Sequence, residues 1–274
     1  MNYIAIHIPI GNEELQSIII ALLAEAGYEG FEENDKELIA SIPQANYNEA
    51  LLTELLQPYA LPYVPEIITP QNWNKVWEDN FQPIVLPDFC TIKAHFHDIV
   101  VETPYCIRIT PKMSFGTGHH ATTRLMLQGM RELDFNGKRV FDYGTGTGIL
   151  AIMAEMMHAK HVKAVDIDSW CYENAMENIA QNECKCIEVA QGTLDDIVDE
   201  KFDIILANIN RHILLASMQQ LYTILNAGGQ LLMSGLLAQD EAIICECALQ
   251  YGFKLQEISS LENWIAILFS KVVS

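Results

Sequence analysis

The chain has 274 residues, half of them hydrophobic, and carries a formal net charge of −20. That length and apolar content suit one medium domain plus a small one, and no apolar stretch reaches the roughly 18 residues of a membrane-spanning helix. So acidic a chain is not expected to grip a phosphate backbone, which takes clustered Lys and Arg; neither direct nucleic-acid binding nor a membrane partner is expected, and a basic protein partner suits the field better.

Asn2 to Ile10 alternates like a strand, with Ile4, Ile6 and Ile8 on one face. Asn12 is placed to cap a helix from Glu13 to Ala26, with Glu13 and Glu14 at its positive end and Gly27 as its stop. Tyr28 to Glu33 and Glu37 to Ile42 read as a hairpin around Asn34-Asp35-Lys36, and Ala45 to Gln57 reads as a second helix. Residues 1–58 are therefore expected to form a small α+β N-terminal domain. Residues 1–60 hold Glu13, Glu14, Glu25, Glu29, Glu32, Glu33, Asp35, Glu37, Glu49 and Glu54 against Lys36 alone. Pro58, Pro62, Pro65 and Pro70 then punctuate the chain, so 59–80 is expected to be a linker in which Tyr63 to Thr69 can add an edge strand.

From Phe81 the pattern changes. Short strands over Ile84 to Leu86, Phe89 to Ala94 and Tyr105 to Thr110 lead to a loop, Pro111 to His120, and a helix from Ala121 to Leu133. Strands are then predicted over 139–142, 161–166, 186–190, 202–207 and 230–234, and helices over 148–158, 170–180, 211–225 and 239–251. Two last strands, 253–258 and 263–269, follow each other without a helix. This order predicts an α/β domain over 81–274 of Rossmann-like type: a mostly parallel sheet covered on both faces, with an antiparallel hairpin at its end.

The seven cysteines lack a disulfide-like framework, and the N-terminus lacks the basic, apolar and small-residue segments of a signal peptide, so reduced thiols and a cytoplasmic location are expected. Cys184 and Cys186, like Cys245 and Cys247, have one residue between them, whereas zinc knuckles usually have two or more, so no metal site is expected. His95, His97, His158 and His161 show no ligand constellation. His120 reads either as a loop-orienting residue or as the start of the following helix.

The most informative stretch is Asp142-Tyr143-Gly144-Thr145-Gly146-Thr147-Gly148, set between a strand and a helix. Its glycines let backbone approach a ligand where a side chain would collide. Asp166 ends the next strand 20 residues after Gly146, where an acid can accept hydrogen bonds from both hydroxyls of a ribose. An adenosine-containing cofactor is implied. Nicotinamide enzymes favour G-x-G-x-x-G, with the third glycine one place later than here. S-adenosylmethionine enzymes favour G-x-G-x-G with an acid two residues before it, and their cofactor has no pyrophosphate to seat. An NAD-binding oxidoreductase is the alternative. At the end of the fourth strand, Asn208 offers a carbonyl that can accept a hydrogen bond from an amine and turn its lone pair toward an electrophilic methyl. Asn210 reads as the N-cap of the next helix.

At these residues the chain resembles the bacterial methyltransferase family that modifies the large-subunit ribosomal protein L-eleven. The likeness is carried by Asn72-Trp73-Asn74-Lys75-Val76-Trp77-Glu78-Asp79-Asn80-Phe81, by Phe115-Gly116-Thr117-Gly118 with His120, Thr122 and Thr123, and by the glycine turn. Val165 to Asp168, Asn174 to Asn182, Ala207-Asn208-Ile209, Gly228-Gly229 with Ser234-Gly235, and Trp264 continue it. Thr147 stands where a serine is common, and Asn210-Arg211-His212 where many members carry other residues. The resemblance implies a class I methyltransferase domain using S-adenosyl-L-methionine to N-methylate lysine side chains and the N-terminal amine of that basic ribosomal protein. It implies Asn208 as the catalytic and a cofactor-binding residue, Asp166 on the ribose and Ile167 on the adenine face. Gly144, Gly146 and Gly148 would form the floor, with Asp142 bracing the turn or reaching the methionine amino group. Thr193 and Leu194 would edge the adenine, Phe115 and Thr117 would close over the methionine end, and Thr122 would join the cofactor contacts. The N-terminal domain is assigned to substrate recognition, the connector to swinging one bound substrate between positions, and the expected state is a monomer. Rival readings are a methyltransferase for amines of another protein or a small molecule, and a non-catalytic module on the same fold.

Overall fold

The computed structural model describes residues 2–68, 81–112 and 114–272. The tryptophan-containing block up to Asn80, and with it the second half of the expected linker, lies outside the described residues. The chain divides into two compact units, residues 1–80 and 81–274.

The first unit runs β1 (Tyr3–Ile8), α1 (Glu13–Glu25), β2 (Gly30–Glu33), β3 (Leu38–Pro43), α2 (Glu49–Leu56) and β4 (Val64–Ile68). Its antiparallel sheet has the order β2-β3-β1-β4, the split β-α-β arrangement of ferredoxin-like units. Ile4, Ile6 and Ile8 face Ile19 and Leu23 of α1 and Leu52 and Leu56 of α2 in one buried cluster. Asn12 caps α1 by accepting the Leu15 amide at 2.9 Å. The helix expected over Ala45 to Gln57 is broken in two. A 3-10 turn, Gln44–Asn46, comes first, and Asn48 then caps α2 by accepting the Ala50 and Leu51 amides. Strand β4 lies within the stretch assigned to the linker and pairs with β1 as an edge strand, which the Tyr63 to Thr69 pattern allows.

The second unit opens with a small sheet of β5 (Ile84–Leu86), β6 (Cys90–Ala94) and β7 (Tyr105–Ile109), and then α3 (Ala121–Arg131). The main sheet uses β8 (Arg139–Tyr143), β9 (His161–Asp166), β10 (Ile187–Gln191), β11 (Phe202–Asn208), β12 (Leu225–Leu237), β13 (Phe253–Leu261) and β14 (Trp264–Lys271). Helices α4 (Ile149–Met156), α5 (Ser169–Gln181), α6 (Arg211–Ile224) and α7 (Glu241–Gln250) connect them. The strand order is β10-β9-β8-β11-β12-β14-β13, parallel except for β14, which is antiparallel to both neighbours. Its strands read as apolar runs because two separate clusters cover the sheet, one around Val140, Ile152 and Leu206, the other around Phe141, Ile205 and Met218. The chain winds outward from β8 to β10 and resumes at β11 on the other side of β8. The reversal opens a crevice beyond the carboxyl ends of β8 and β11. Gly228 and Gly229 do not precede β12 as expected but lie inside it, where the register with β11 shifts. Among the described residues no helix is long and apolar enough to cross a membrane.

Candidate active site

The crevice holds a cavity of about 510 Å³, within the roughly 300–1,000 Å³ of small-molecule sites. The glycine turn forms its floor. Gly144, Gly146 and Gly148 have φ of 74°, 56° and 81°, left-handed values that glycine adopts without cost. Every amide of the turn is spent inside the protein. Gly144 and Thr145 donate to the Val165 carbonyl, Gly146 to the Asp166 carboxylate at 2.8 Å, Thr147 to the Phe115 carbonyl and Gly148 to the Thr145 carbonyl. Among the described residues, no lysine or arginine lines the cavity. A pyrophosphate, which needs free amides at a helix start or cationic side chains, has no seat on this turn.

Asp166 reaches the wall from the end of β9. One oxygen accepts the Gly146 amide and the other the Asp168 amide at 3.1 Å, which leaves a lone pair on each for a pair of hydroxyls. Ile167 next to it is 74% exposed, an apolar face turned out at the wall. Gly192 and Thr193, after β10, close the same side. Opposite them stand Phe115, His120 and Trp264, with His120 edge-on to Phe115 at 5.2 Å and to Trp264 at 4.7 Å between ring centres. His120 also caps α3, since its Nδ1 accepts the Thr122 amide, as its reading as the start of the helix expects. Asn208 comes off the end of β11 onto the wall, and among the described residues its buried Oδ1 has no partner. A buried carbonyl oxygen without a partner costs about 1–3 kcal/mol, and a donor brought into the crevice removes that cost.

Of the expected site residues, Phe115, Thr122, Gly144, Gly146, Asp166, Ile167, Thr193 and Asn208 line one cavity. Four others do not. Thr117 turns to His119, its hydroxyl 3.3 Å from Nδ1. Gly148 is the N-cap of α4, where an added Cβ would press on Ala175 at 3.3 Å. Leu194 starts a 3-10 turn that aims its side chain into the core, so Thr193 edges the cavity and Leu194 does not. Asp142 is fully buried beneath the turn and accepts the Thr145 hydroxyl at 2.6 Å, which supports the bracing role rather than direct reach. Burial above all, and the nearby Asp166 charge, push its carboxyl up to about 7, against the Thr145 hydroxyl and the Ala151 amide.

Tyr143, Cys171, Ile213 and Trp264 also line the cavity without having been read from sequence as site residues. Tyr143 sits inside the glycine motif and could have been taken from it. Trp264 comes from the β13–β14 hairpin, opposite Leu237 in the antiparallel register, and no local pattern signals that return. Burial and the Asp166 charge raise the Cys171 thiol, which keeps it protonated at neutral pH.

These residues fit a cofactor that joins a ribose to an amino acid: a paired acceptor at Asp166, an apolar face at Ile167, a glycine floor without a phosphate cradle, and the amide of Asn208 in the lining. The family model described as "Ribosomal protein L11 methyltransferase (PrmA)" matches residues 31–272. The ribosomal protein L11 methyltransferase of Porphyromonas gingivalis is 42% identical over 265 residues, covering 94% of this chain and 91% of that one. That of Phocaeicola vulgatus is 40% identical, covering 94% of each. The solved structure of a ribosomal protein L11 methylase from Lactobacillus delbrueckii superposes with a TM-score of 0.66 at 33% identity, over 70% of this chain and all of that one.

Proposed function

The chain belongs to the ribosomal protein L11 methyltransferase family, and from that membership we propose that it moves methyl groups from S-adenosylmethionine to lysine side-chain and N-terminal amines of ribosomal protein L11. The observation that carries the chemistry is Asn208 in the cavity lining, its buried Oδ1 without a partner among the described residues. The cofactor supplies an activated methyl on a sulfonium. Asp166 would hold the ribose hydroxyls, Ile167 and Thr193 would flank the adenine, Gly144 and Gly146 would form the floor, and Phe115 with Thr122 would bound the methionine end. Asn208 accepts one N–H of the incoming amine and so points the nitrogen lone pair along the line of attack; this is alignment, the protein's main contribution when the methyl is already activated.

The amine must be neutral when it attacks. A free lysine has a pKa of about 10.4, and bringing it to near 7 costs roughly 4–5 kcal/mol. The Phe115, His120 and Trp264 wall supports this by withdrawing the amine from water, and an amide at position 208 supports it by adding no negative charge. We assign the acids of the N-terminal unit to docking the basic substrate. The test is mass spectrometry of purified L11 incubated with the enzyme and labelled cofactor. Label on lysine side chains and the α-amine is expected; L11 left unlabelled would refute the substrate.

A further inference from the structure

Helix α5 pairs with β7 through side-chain amides. Asn174, Asn178 and Asn182 are spaced by four and fall on one helix face. Asn182 donates to the Arg108 carbonyl at 2.6 Å and accepts the Arg108 amide at 2.9 Å. Asn178 accepts the Thr110 amide at 2.7 Å, and Asn174 donates to the Thr110 carbonyl at 3.1 Å. Gln181 donates to the Thr110 hydroxyl at 2.6 Å, which itself donates to Glu177 at 3.1 Å. Because β7 is an edge strand of its sheet, these amides stand in for a neighbouring strand.

Asn178 makes a further bond in the opposite direction. It is fully buried, and its Nδ2 donates to the Thr147 carbonyl in the glycine turn at 2.8 Å. Thr147 in turn donates its amide to the Phe115 carbonyl at 2.9 Å and its hydroxyl to the Gly116 carbonyl at 2.7 Å. The loop thus meets the turn backbone to backbone. A Cβ on Gly146 would lie 2.4 Å from the Phe115 carbonyl oxygen, and one on Gly116 would lie 2.8 Å from the Thr147 hydroxyl. Neither Asn178 nor Thr147 lines the cavity.

We propose that Asn178 and Thr147 are positioning residues that lock the Phe115–Gly118 loop onto the glycine turn, so that floor and wall of the cofactor cavity are fixed before a ligand enters. The proposal rests on the cofactor reading above for its effect on binding, but not for the lock itself. Its physical content is that the ordering entropy of the loop is met on folding and not on binding, which tightens the complex.

Thr147→Val removes one hydroxyl and keeps the shape; Thr147→Ser restores it; Asn178→Leu removes both amide bonds. Two measurements on the full-length protein decide: calorimetric Kd for S-adenosylhomocysteine, and amide hydrogen exchange, without ligand, of a peptide containing Thr147, whose N–H is bonded to Phe115. Thr147→Val is expected to raise Kd about 10-fold and speed exchange in that peptide, with Thr147→Ser staying within about twofold of wild type. At saturating cofactor, kcat on the ribosomal substrate should change by less than about threefold, a Kd-against-kcat split that general destabilisation does not produce. A Thr147→Val protein with wild-type Kd, or with raised Kd but unchanged exchange, overturns the proposal. Should Asn178→Leu fail to fold, Thr147→Val still decides. If wild type does not bind S-adenosylhomocysteine, the cofactor reading fails, and the exchange comparison alone judges the lock.

Discussion

Asn208 and Asp142 each hold a buried oxygen with no hydrogen bond of normal geometry among the described residues, with different consequences. Asn208 belongs to the cavity lining, so on the proposed reading an arriving amine would bond this oxygen and offset its cost. Asn208→Ala is expected to slow methyl transfer about 100-fold or more while cofactor Kd stays within a few-fold, measured by single-turnover assay and calorimetry. Asn208→Asp keeps an acceptor but adds a charge that stabilises the ammonium form of the target, so its pH–rate profile should move to higher pH. At Asp142 the oxygen lies under the turn, and burial has raised the folded-state carboxyl to about 7. The folded state therefore holds a proton that the unfolded chain has already lost. Stability from this group is complete below the ordinary aspartate range, falls as pH rises through about 7, and is gone above it, a change of roughly 4 kcal/mol at most. The melting temperature of the free protein should drop between pH 5 and pH 8, and Asp142→Asn should flatten that drop. A pH-independent difference between the two proteins would mean that Asp142 titrates at an ordinary value.

At the scale of elements, the end of β11 is held by close backbone packing. A Cβ on Gly235 of β12, where φ is 84°, would lie 2.2 Å from the Ile209 carbonyl oxygen, and one on Gly144 would lie 2.3 Å from the Ile209 side chain. Gly137, with φ of 71° in the turn before β8, has open space around it. Gly137→Ala should thus cost only the left-handed strain, about 1–2 kcal/mol, whereas Gly235→Ala should cost roughly 2–4 kcal/mol and also displace Asn208 and lower kcat. Equal losses of stability and activity in the two would show that Ile209 does not set the position of Asn208. These elements were largely legible in the sequence. Alternation in β1, the Asn12 and Asn210 caps, the apolar runs of β8 and β11 and the glycine turn are local signals with local causes. What was not legible depended on side-chain direction or distant return. Leu194 differs from Thr193 by one residue but turns into the core, and Asn48 restarts a helix that composition alone reads through. Trp264 reaches the cavity only because β14 runs antiparallel beside β12.

For the molecule as a whole, net negative charge is densest in residues 1–60, where ten acids stand against Lys36 alone. Nine of the ten acids in residues 1–60 are exposed, and Glu37 is half-buried beside His7. The cavity wall of the second unit, by contrast, carries Asp166 and Asp168 and an otherwise apolar or neutral lining. Docking and transfer should therefore respond differently to salt. Attraction between exposed acids and a basic substrate acts over the Debye length, about 10 Å at 0.1 M and about 3 Å at 1 M, so it weakens steeply as salt is raised. The proposed bonds to the ribose and to the amine would be made at contact inside the crevice and would be screened little. Between 50 mM and 500 mM salt, KM for the ribosomal substrate should thus rise several-fold while kcat and cofactor Kd change little. Replacing Glu32 and Glu33, both exposed on the edge strand β2, with Lys should raise KM at low salt and flatten its salt dependence, with kcat again unchanged. A KM that is flat in salt for the wild-type protein would remove the acids from substrate docking and leave their role as solubility alone.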